Sequence, residues 1–191
     1  MARLTDSAAY FGFACDPEHL RAAVQDAVAG VVGPARVRVR LARSGAATVD
    51  VGELPPPPER PVVLAVDDDP VDSASPWLVH KTTRRSVYST RAARHPDADD
   101  VVLVNERGEV TETTIANLAV RIDGRWWTPP TSSGCLPGIE RGRLLEVGAL
   151  TERVLTPADL GAAEAVALVS SLRGWRPAML APRHAPTGAR S

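Results

Sequence analysis

The sequence predicts an α+β fold of two units, and three observations support this prediction. Short strand-like runs alternate irregularly with a few helix-like segments along the 191 residues. An acidic, turn-rich segment at Asp67–Ser73 separates a smaller first part from a larger second part. Internal repeats and the regular strand–helix alternation of a doubly wound sheet are absent from the pattern. We therefore expect a small N-terminal α+β domain at 1–72, a larger domain at 73–181 and a disordered tail at 182–191.

Two helices and a hairpin are predicted in the first part. One helix begins near Thr5 and ends near Gly12, and the pair Asp16–Pro17 is typical of the start of a second helix, which continues to about Gly30. Alternating polar and apolar residues then predict strands at Ala35–Leu41 and Ala47–Val51.

The second part is predicted to contain mostly short elements. Apolar runs indicate strands at 62–66, 101–104, 109–111, 118–122, 125–128, 153–155 and 166–169, and helices are predicted at 83–94, 138–147 and 157–160. Pro55–Pro58 must be extended, and Asp123–Gly124 predicts a tight turn between two strands.

Charge and hydropathy exclude several kinds of partner. A formal net charge of -1 provides no basic face for a nucleic acid. No apolar run is long enough to cross a bilayer, and the N-terminus lacks a signal pattern, so we expect a cytoplasmic location.

Cys15 and Cys135 are too few for a disulfide framework or a zinc motif, and Asp67–Ser73 lacks the glycine and glutamate of an EF-hand loop. We expect no metal site, and we interpret the acidic segment as a solvated linker.

Lys81 is the only lysine among the 22 lysines and arginines of the chain. An exposed cation for solubility or ion pairing could be either residue type. A guanidinium stays protonated, whereas a lysine amine can be deprotonated by its surroundings and attack a carbonyl group. Lys81 is therefore a candidate for Schiff-base chemistry, and the alternative is an ordinary surface lysine.

Four further features are candidates for a binding site, although a structural role is the simpler interpretation of each one alone. Glu112 follows a predicted strand and could bind a ring nitrogen or cap a turn. Ile139–Glu140 open a predicted helix, whose free N–H groups favour a phosphate. Ser170–Ser171 end a buried strand, and Arg3 could contact a phosphate or only solvent.

Four ordered blocks resemble the class IV (fold type IV) pyridoxal phosphate enzymes. The blocks are His80–Arg85 with Tyr88, Asp100–Leu118, Leu136–Gly142 and Val169–Arg176. Within this family the chain most resembles 4-amino-4-deoxychorismate lyase, in the form fused behind aminodeoxychorismate synthase component I. The resemblance covers nearly the whole chain, from Arg3 to about Arg176.

The resemblance implies a two-domain fold similar to D-amino acid aminotransferase, with pyridoxal 5'-phosphate as the cofactor. Lys81 would bind the cofactor covalently and then act as general acid and base, and Glu112 would pair with the pyridine nitrogen. The residues matching the phosphate contacts are Arg3, Ile139, Glu140, Ser170 and Ser171.

The implied reaction converts a small molecule, 4-amino-4-deoxychorismate, to 4-aminobenzoate and pyruvate. Two alternatives stay open: an aminotransferase for branched-chain or D-amino acids, and a catalytically silent homologue. Family members are usually homodimers, so a homodimer is expected. They also carry a further stretch before the segment that matches Arg3, so the resemblance implies that the first domain is incomplete in this chain.

Overall fold

The computed structural model describes residues 1–56 and 58–182. The chain forms two compact units, which divide between positions 57 and 58. Within the described part, no helix is long and apolar enough to cross a membrane. The tail predicted at 182–191 lies outside the described residues, apart from Pro182.

The first unit contains two helices and a hairpin. Its elements are α1 (Ala2–Phe11), α2 (Pro17–Val28), β1 (Ala35–Leu41) and β2 (Ala47–Glu53). Gly12 ends α1 at a φ of 65°, which glycine adopts without the steric clash of a Cβ. The Asp16 carboxylate caps α2 by accepting hydrogen bonds from the N–H groups of Glu18 and His19. The two strands pair antiparallel along their full length.

The second unit is built on one eight-stranded sheet. Its strands are β3 (Val62–Val66), β4 (Asp100–Val104), β5 (Val110–Thr113), β6 (Asn117–Ile122), β7 (Arg125–Thr128), β8 (Thr151–Glu152), β9 (Ala165–Ser170) and β10 (Gly174–Leu180). Its helices are α3 (Pro76–Val79), α4 (Ser86–Ala92), α5 (Ile139–Glu146) and α6 (Pro157–Ala162). The strand order is β5-β4-β3-β10-β9-β6-β7-β8. Since β5 also contacts β6, although four strands lie between them in this order, the sheet is strongly curled.

The boundary between the two units lies before β3, whereas the acidic segment Asp67–Ser73 led us to predict a boundary after Asp72. β3 pairs in parallel with both β4 and β10, so it belongs to the middle of the large sheet. The expectation of a solvated linker is also wrong for Asp67, which is only 2% exposed. Its carboxylate accepts a hydrogen bond from Arg94 at 3.0 Å and lies 3.0 Å from His95 Nε2. These partners hold the acidic segment within the second unit.

Three groups of buried side chains position the elements around the sheet. The largest is formed by alternate residues of the strands, on the inner face of the curl. A second group joins Leu144 of α5 to Val169 of β9, on the opposite face. A third joins Leu78 of α3 and Tyr88 of α4 to Leu103 of β4. Full burial of a leucine contributes about 2 kcal/mol, so these contacts hold the three helices firmly on the sheet.

Several elements differ from the predictions. α3 was not predicted. β10 was not predicted either, and a proline such as Pro177 argues against a central strand; its pairing with β3 begins only at Ala178, beyond the proline. α4 spans Ser86–Ala92, so Thr83–Arg85 lie outside it, although the helix was predicted at 83–94. Arg153–Leu155 form no strand and follow the short β8 instead.

Candidate active site

Lys81 lies in a non-helical segment between α3 and α4. Two cation–π contacts hold the segment in place. The guanidinium of Arg84 lies 4.5 Å from the ring centre of Trp77, and that of Arg85 lies 4.6 Å from the ring centre of Tyr88. The backbone of the segment is thereby fixed, while the Lys81 side chain is exposed.

Glu112 lies on β5, and its side chain is only 4% exposed. Hydrogen-bond donors from three parts of the chain reach its carboxylate. The hydroxyl of Tyr88 donates to Oε1 at 2.8 Å. The Nδ2 group of Asn117, at the start of β6, donates to Oε2 at 3.2 Å. The backbone N–H of Leu136 donates to the same carboxylate. All three of these donors are uncharged.

Burial raises the pKa of Glu112 to about 7, because the ionised carboxylate has lost its hydration. The hydrogen bonds from Tyr88 and Leu136 oppose this rise, and so do the positive charges of Lys81 and Arg85. Near neutral pH the protonated and ionised forms of Glu112 are therefore comparably populated.

Asn117 links Glu112 to the start of α5. Its Nδ2 group also donates to the carbonyl of Leu136 at 2.9 Å, two residues before the N-cap Gly138. A Cβ at Gly138 would lie 2.0 Å from Asn117 Oδ1, so this close approach requires glycine. The first N–H groups of α5, those of Ile139–Glu140, therefore lie next to Glu112 and its hydrogen-bond donors. Such groups have no acceptor within their own helix and favour an anion.

Ser170 and Ser171 lie at the same edge of the sheet. Val169 is the register partner of Asn117, so the end of β9 extends beyond the start of β6. Ser170 is half-buried and Ser171 is exposed. The two serines are thus placed at the strand ends that also carry Asn117.

Arg3 belongs to the first unit, where it is a half-buried residue near the start of α1. The second unit holds Lys81 between α3 and α4 and brings Glu112 next to the start of α5 through Asn117. The Glu140 side chain points to Arg143, whose guanidinium lies 2.6 Å from its Oε1, so only its backbone N–H is available to a ligand at the helix start.

Three residues of this site were not predicted from the sequence as site residues of their own: Tyr88, Asn117 and Gly138. Asparagine is uncommon in a buried strand, so Asn117 opening β6 was a usable signal. A glycine directly before a helix, such as Gly138, was a second. The contact of Tyr88 with Glu112 carries no sequence signal, since it depends on the packing of α4 against the sheet.

The site can bind a ligand with three different groups. An ionised carboxylate offers about four acceptor positions, and three protein donors leave one of them for a further N–H group. The start of α5 suits a phosphate, and the Lys81 amine can bond an aldehyde carbon. The described residues contain no group of three or more His, Cys, Asp or Glu placed to hold a metal ion.

Comparison with known proteins shows the family of this chain. A family model for class IV aminotransferases matches residues 1–180. The chain belongs to the class IV aminotransferase family. A relative from Schizosaccharomyces pombe, provisionally named an aminodeoxychorismate lyase, is 33% identical over 91% of this chain and 78% of its own length.

Solved structures of class IV aminotransferases and related enzymes share the fold. A provisionally assigned amino-acid aminotransferase from Mesorhizobium loti has a TM-score of 0.88 and 38% identity, over 94% of this chain and 89% of its own. A provisionally assigned 4-amino-4-deoxychorismate lyase from Legionella pneumophila has a TM-score of 0.79 and 26% identity, over 94% and 75%. A hypothetical aminotransferase from Mycobacterium tuberculosis, with pyridoxal phosphate bound, has a TM-score of 0.77 and 26% identity, over 94% and 74%.

Proposed function

We propose that this protein is a pyridoxal phosphate-dependent lyase that converts 4-amino-4-deoxychorismate to 4-aminobenzoate and pyruvate. The observation that carries the proposal is the buried carboxylate of Glu112, which neutral donors bond beside the start of α5 and on which the charge of Lys81, the only lysine, acts. The names of the S. pombe and L. pneumophila relatives support this substrate. The proposal includes a homodimer in the cytoplasm, and sedimentation would measure the oligomeric state.

The residues present fit pyridoxal phosphate. Lys81 would bond its aldehyde, Glu112 has one acceptor position left for the pyridine N–H, and the N–H groups of Ile139–Glu140 would bind the phosphate. Ser170 and Ser171 would contact the same phosphate, as the family resemblance implies. A Cβ at position 138 would collide with Asn117, so the glycine there allows the start of α5 to lie close to Glu112 and its hydrogen-bond donors.

Each of the two principal side chains has a defined task. Bound pyridoxal phosphate would supply an acceptor for the electron pair released when a proton leaves the carbon next to the amine. Lys81 Nζ would take that proton and return one to the departing enolpyruvyl group, which leaves as pyruvate. Glu112 Oε1 and Oε2 would hold a proton on the ring nitrogen, because a carboxylate deprived of water favours a cationic neighbour. The substrate ring becomes aromatic, which drives the reaction.

The second candidate function is an aminotransferase for branched-chain or D-amino acids. The observation favouring it is the M. loti structure, which has a higher TM-score and identity than the L. pneumophila lyase. Release of 4-aminobenzoate without an oxoacid co-substrate would distinguish the lyase from the aminotransferase.

The test is an absorbance spectrum of the protein with pyridoxal phosphate, before and after borohydride, followed by an assay of 4-aminobenzoate. We expect a long-wavelength band that borohydride removes, with the label on the Lys81 peptide. Lys81→Arg keeps the positive charge but not the amine, so it is the matched control and must lack both the band and the activity. A wild-type protein with neither band nor labelled peptide would contradict the proposal and favour a catalytically silent homologue.

A further inference from the structure

We propose that Tyr88 is a positioning residue that favours the ionised form of the buried Glu112 carboxylate and fixes its orientation. The inference deepens the proposed function and rests on it, because the ligand group that Glu112 faces is the pyridine nitrogen. Nothing in the family resemblance assigns this role to Tyr88.

The position of the Tyr88 phenol is fixed from both sides of the ring. The ring packs with Leu78 and Leu103 and is only 7% exposed. The guanidinium of Arg85 lies over it at 4.6 Å and also donates to the carbonyl of Thr114, which fixes the guanidinium. The hydroxyl consequently has little freedom to follow another acceptor, and it meets Glu112 Oε1 at 2.8 Å.

The hydrogen bond has a defined direction. Burial and the charge of Glu112 raise the pKa of Tyr88 well above its usual value, so the phenol keeps its proton. An ionised carboxylate can only accept hydrogen bonds. The bond therefore runs from Tyr88 to Glu112, and it favours the ionised form of the carboxylate.

Tyr88 has the largest effect among the groups that oppose the burial of Glu112. Lys81 and Arg85 act on the carboxylate through charge, and Leu136 and Asn117 donate neutral hydrogen bonds. The Cys135 thiol, on which the charge of Glu112 also acts, stays neutral, because burial raises its pKa to about 12.

The two side-chain donors also orient the carboxylate. Tyr88 bonds Oε1 and Asn117 bonds Oε2, so the plane of the carboxylate is held at both oxygens. The acceptor position that the protein leaves open then points in one direction. Loss of the Tyr88 hydroxyl would release one oxygen, and the carboxyl group would more readily take up a proton.

The test is Tyr88→Phe, which keeps the packed ring and removes only the hydroxyl. Carbon-13 labelled glutamate in the cofactor-free protein reports the titration of Glu112, and Glu112→Gln assigns its resonance. We expect the pKa of Glu112 to rise by about one in the variant, a tenfold change in the proton-binding constant. Tyr10→Phe is the matched control, since Tyr10 is 62% exposed on α1 of the other unit, and it must leave this pKa unchanged. A Glu112 titration that is the same in Tyr88→Phe and wild type would overturn the proposal.

A second measurement tests the same hydrogen bond without the Tyr88→Phe variant, and it therefore decides the proposal even where that variant folds poorly. Carbon-13 labelled tyrosine reports the same hydrogen bond from its donor: in the wild type the Tyr88 ring resonance should shift as Glu112 titrates near pH 7, and in Glu112→Gln this shift should be absent. A wild-type Tyr88 resonance that does not respond to the titration of Glu112 would overturn the proposal. Both measurements use the cofactor-free protein, so failure to bind pyridoxal phosphate would contradict the proposed function without changing either result.

Discussion

Asp67 and Glu112 are both buried carboxylates of the second unit, but their partners differ in charge. Asp67, 2% exposed, lies within 3.5 Å of Arg91 and 3.0 Å of both Arg94 and His95. Glu112, 4% exposed, is bonded by three uncharged donors, and its pKa is about 7. A carboxylate paired directly with cations forms a structural ion pair, whereas one that is hydrogen-bonded only by neutral donors still favours the arrival of a cation. The difference therefore separates a group that stabilises the fold from one that is suited to bind a ligand.

The largest expected effect is on the Asp67 side of this comparison. Asp67→Asn removes the buried carboxylate that Arg91, Arg94 and His95 share, and leaves Arg91, 8% exposed, only the exposed carboxylate of Asp69, at 2.9 Å. We expect the free energy of unfolding to fall by about 3–5 kcal/mol, measured by urea denaturation. Activity per folded molecule should stay unchanged.

Asp68→Asn is the control, because Asp68 is the exposed neighbour of Asp67. Its effect on the free energy of unfolding should lie within about 0.5 kcal/mol of zero. Equal effects of the two substitutions would show that Asp67 is no more structural than a surface carboxylate, and the comparison would fail.

A smaller effect, of opposite sign, is expected from the titration of Glu112. Its pKa is raised in the folded state from about 4.5 to about 7, so between these pH values the native state binds more protons than the unfolded state. The cofactor-free protein therefore loses stability from this group as the pH rises through that window, by about 3 kcal/mol in total.

Urea denaturation of wild type and Glu112→Gln at pH 5 and pH 8 would isolate this contribution. Carboxylates such as Glu106 and Glu109, whose pKa values are lowered to about 2, titrate equally in both proteins and cancel in the difference. Glu112→Gln should gain stability relative to wild type at the higher pH. A difference that does not change with pH would mean that Glu112 is as firmly ionised as a paired carboxylate.

The smallest effect concerns the close approach between Gly138 and Asn117. In Gly138→Ala the new Cβ would displace the Asn117 amide, and the free energy of unfolding should fall by about 1–3 kcal/mol. Gly142→Ala, in the same helix with open space around the new Cβ, should instead stabilise the protein by about 0.5–1 kcal/mol. Thermal unfolding of both variants measures the contrast, and destabilisation by both would indicate that helix strain, rather than Asn117, is responsible.

The predictable part of the molecule is the part encoded by local pattern. Alternating residues located the hairpin of the first unit, apolar runs located most strands of the second, and composition alone drew attention to Lys81. Glu112 and the start of α5 followed from the family resemblance, and the structure places them together.

The remaining part depends on contacts between distant positions. The Tyr88–Glu112 bond joins residues 24 positions apart, and Arg94 reaches Asp67 across 27 positions. A proline such as Pro177 is unfavourable within a strand, so the local sequence argues against β10. The pairing of β10 with β9 nevertheless includes Pro177. Such outcomes are decided by tertiary packing, to which local patterns are insensitive.

The position of β10 has a consequence for how the second unit folds. β10 is the last strand of the described chain, yet it lies between β3, the first strand of the unit, and β9. Until β10 is synthesised, two central strands present unpaired N–H and carbonyl groups, which are prone to pair with other chains. Sheet formation must therefore wait until nearly the whole unit has left the ribosome, and we expect slow folding with a need for chaperone protection during synthesis.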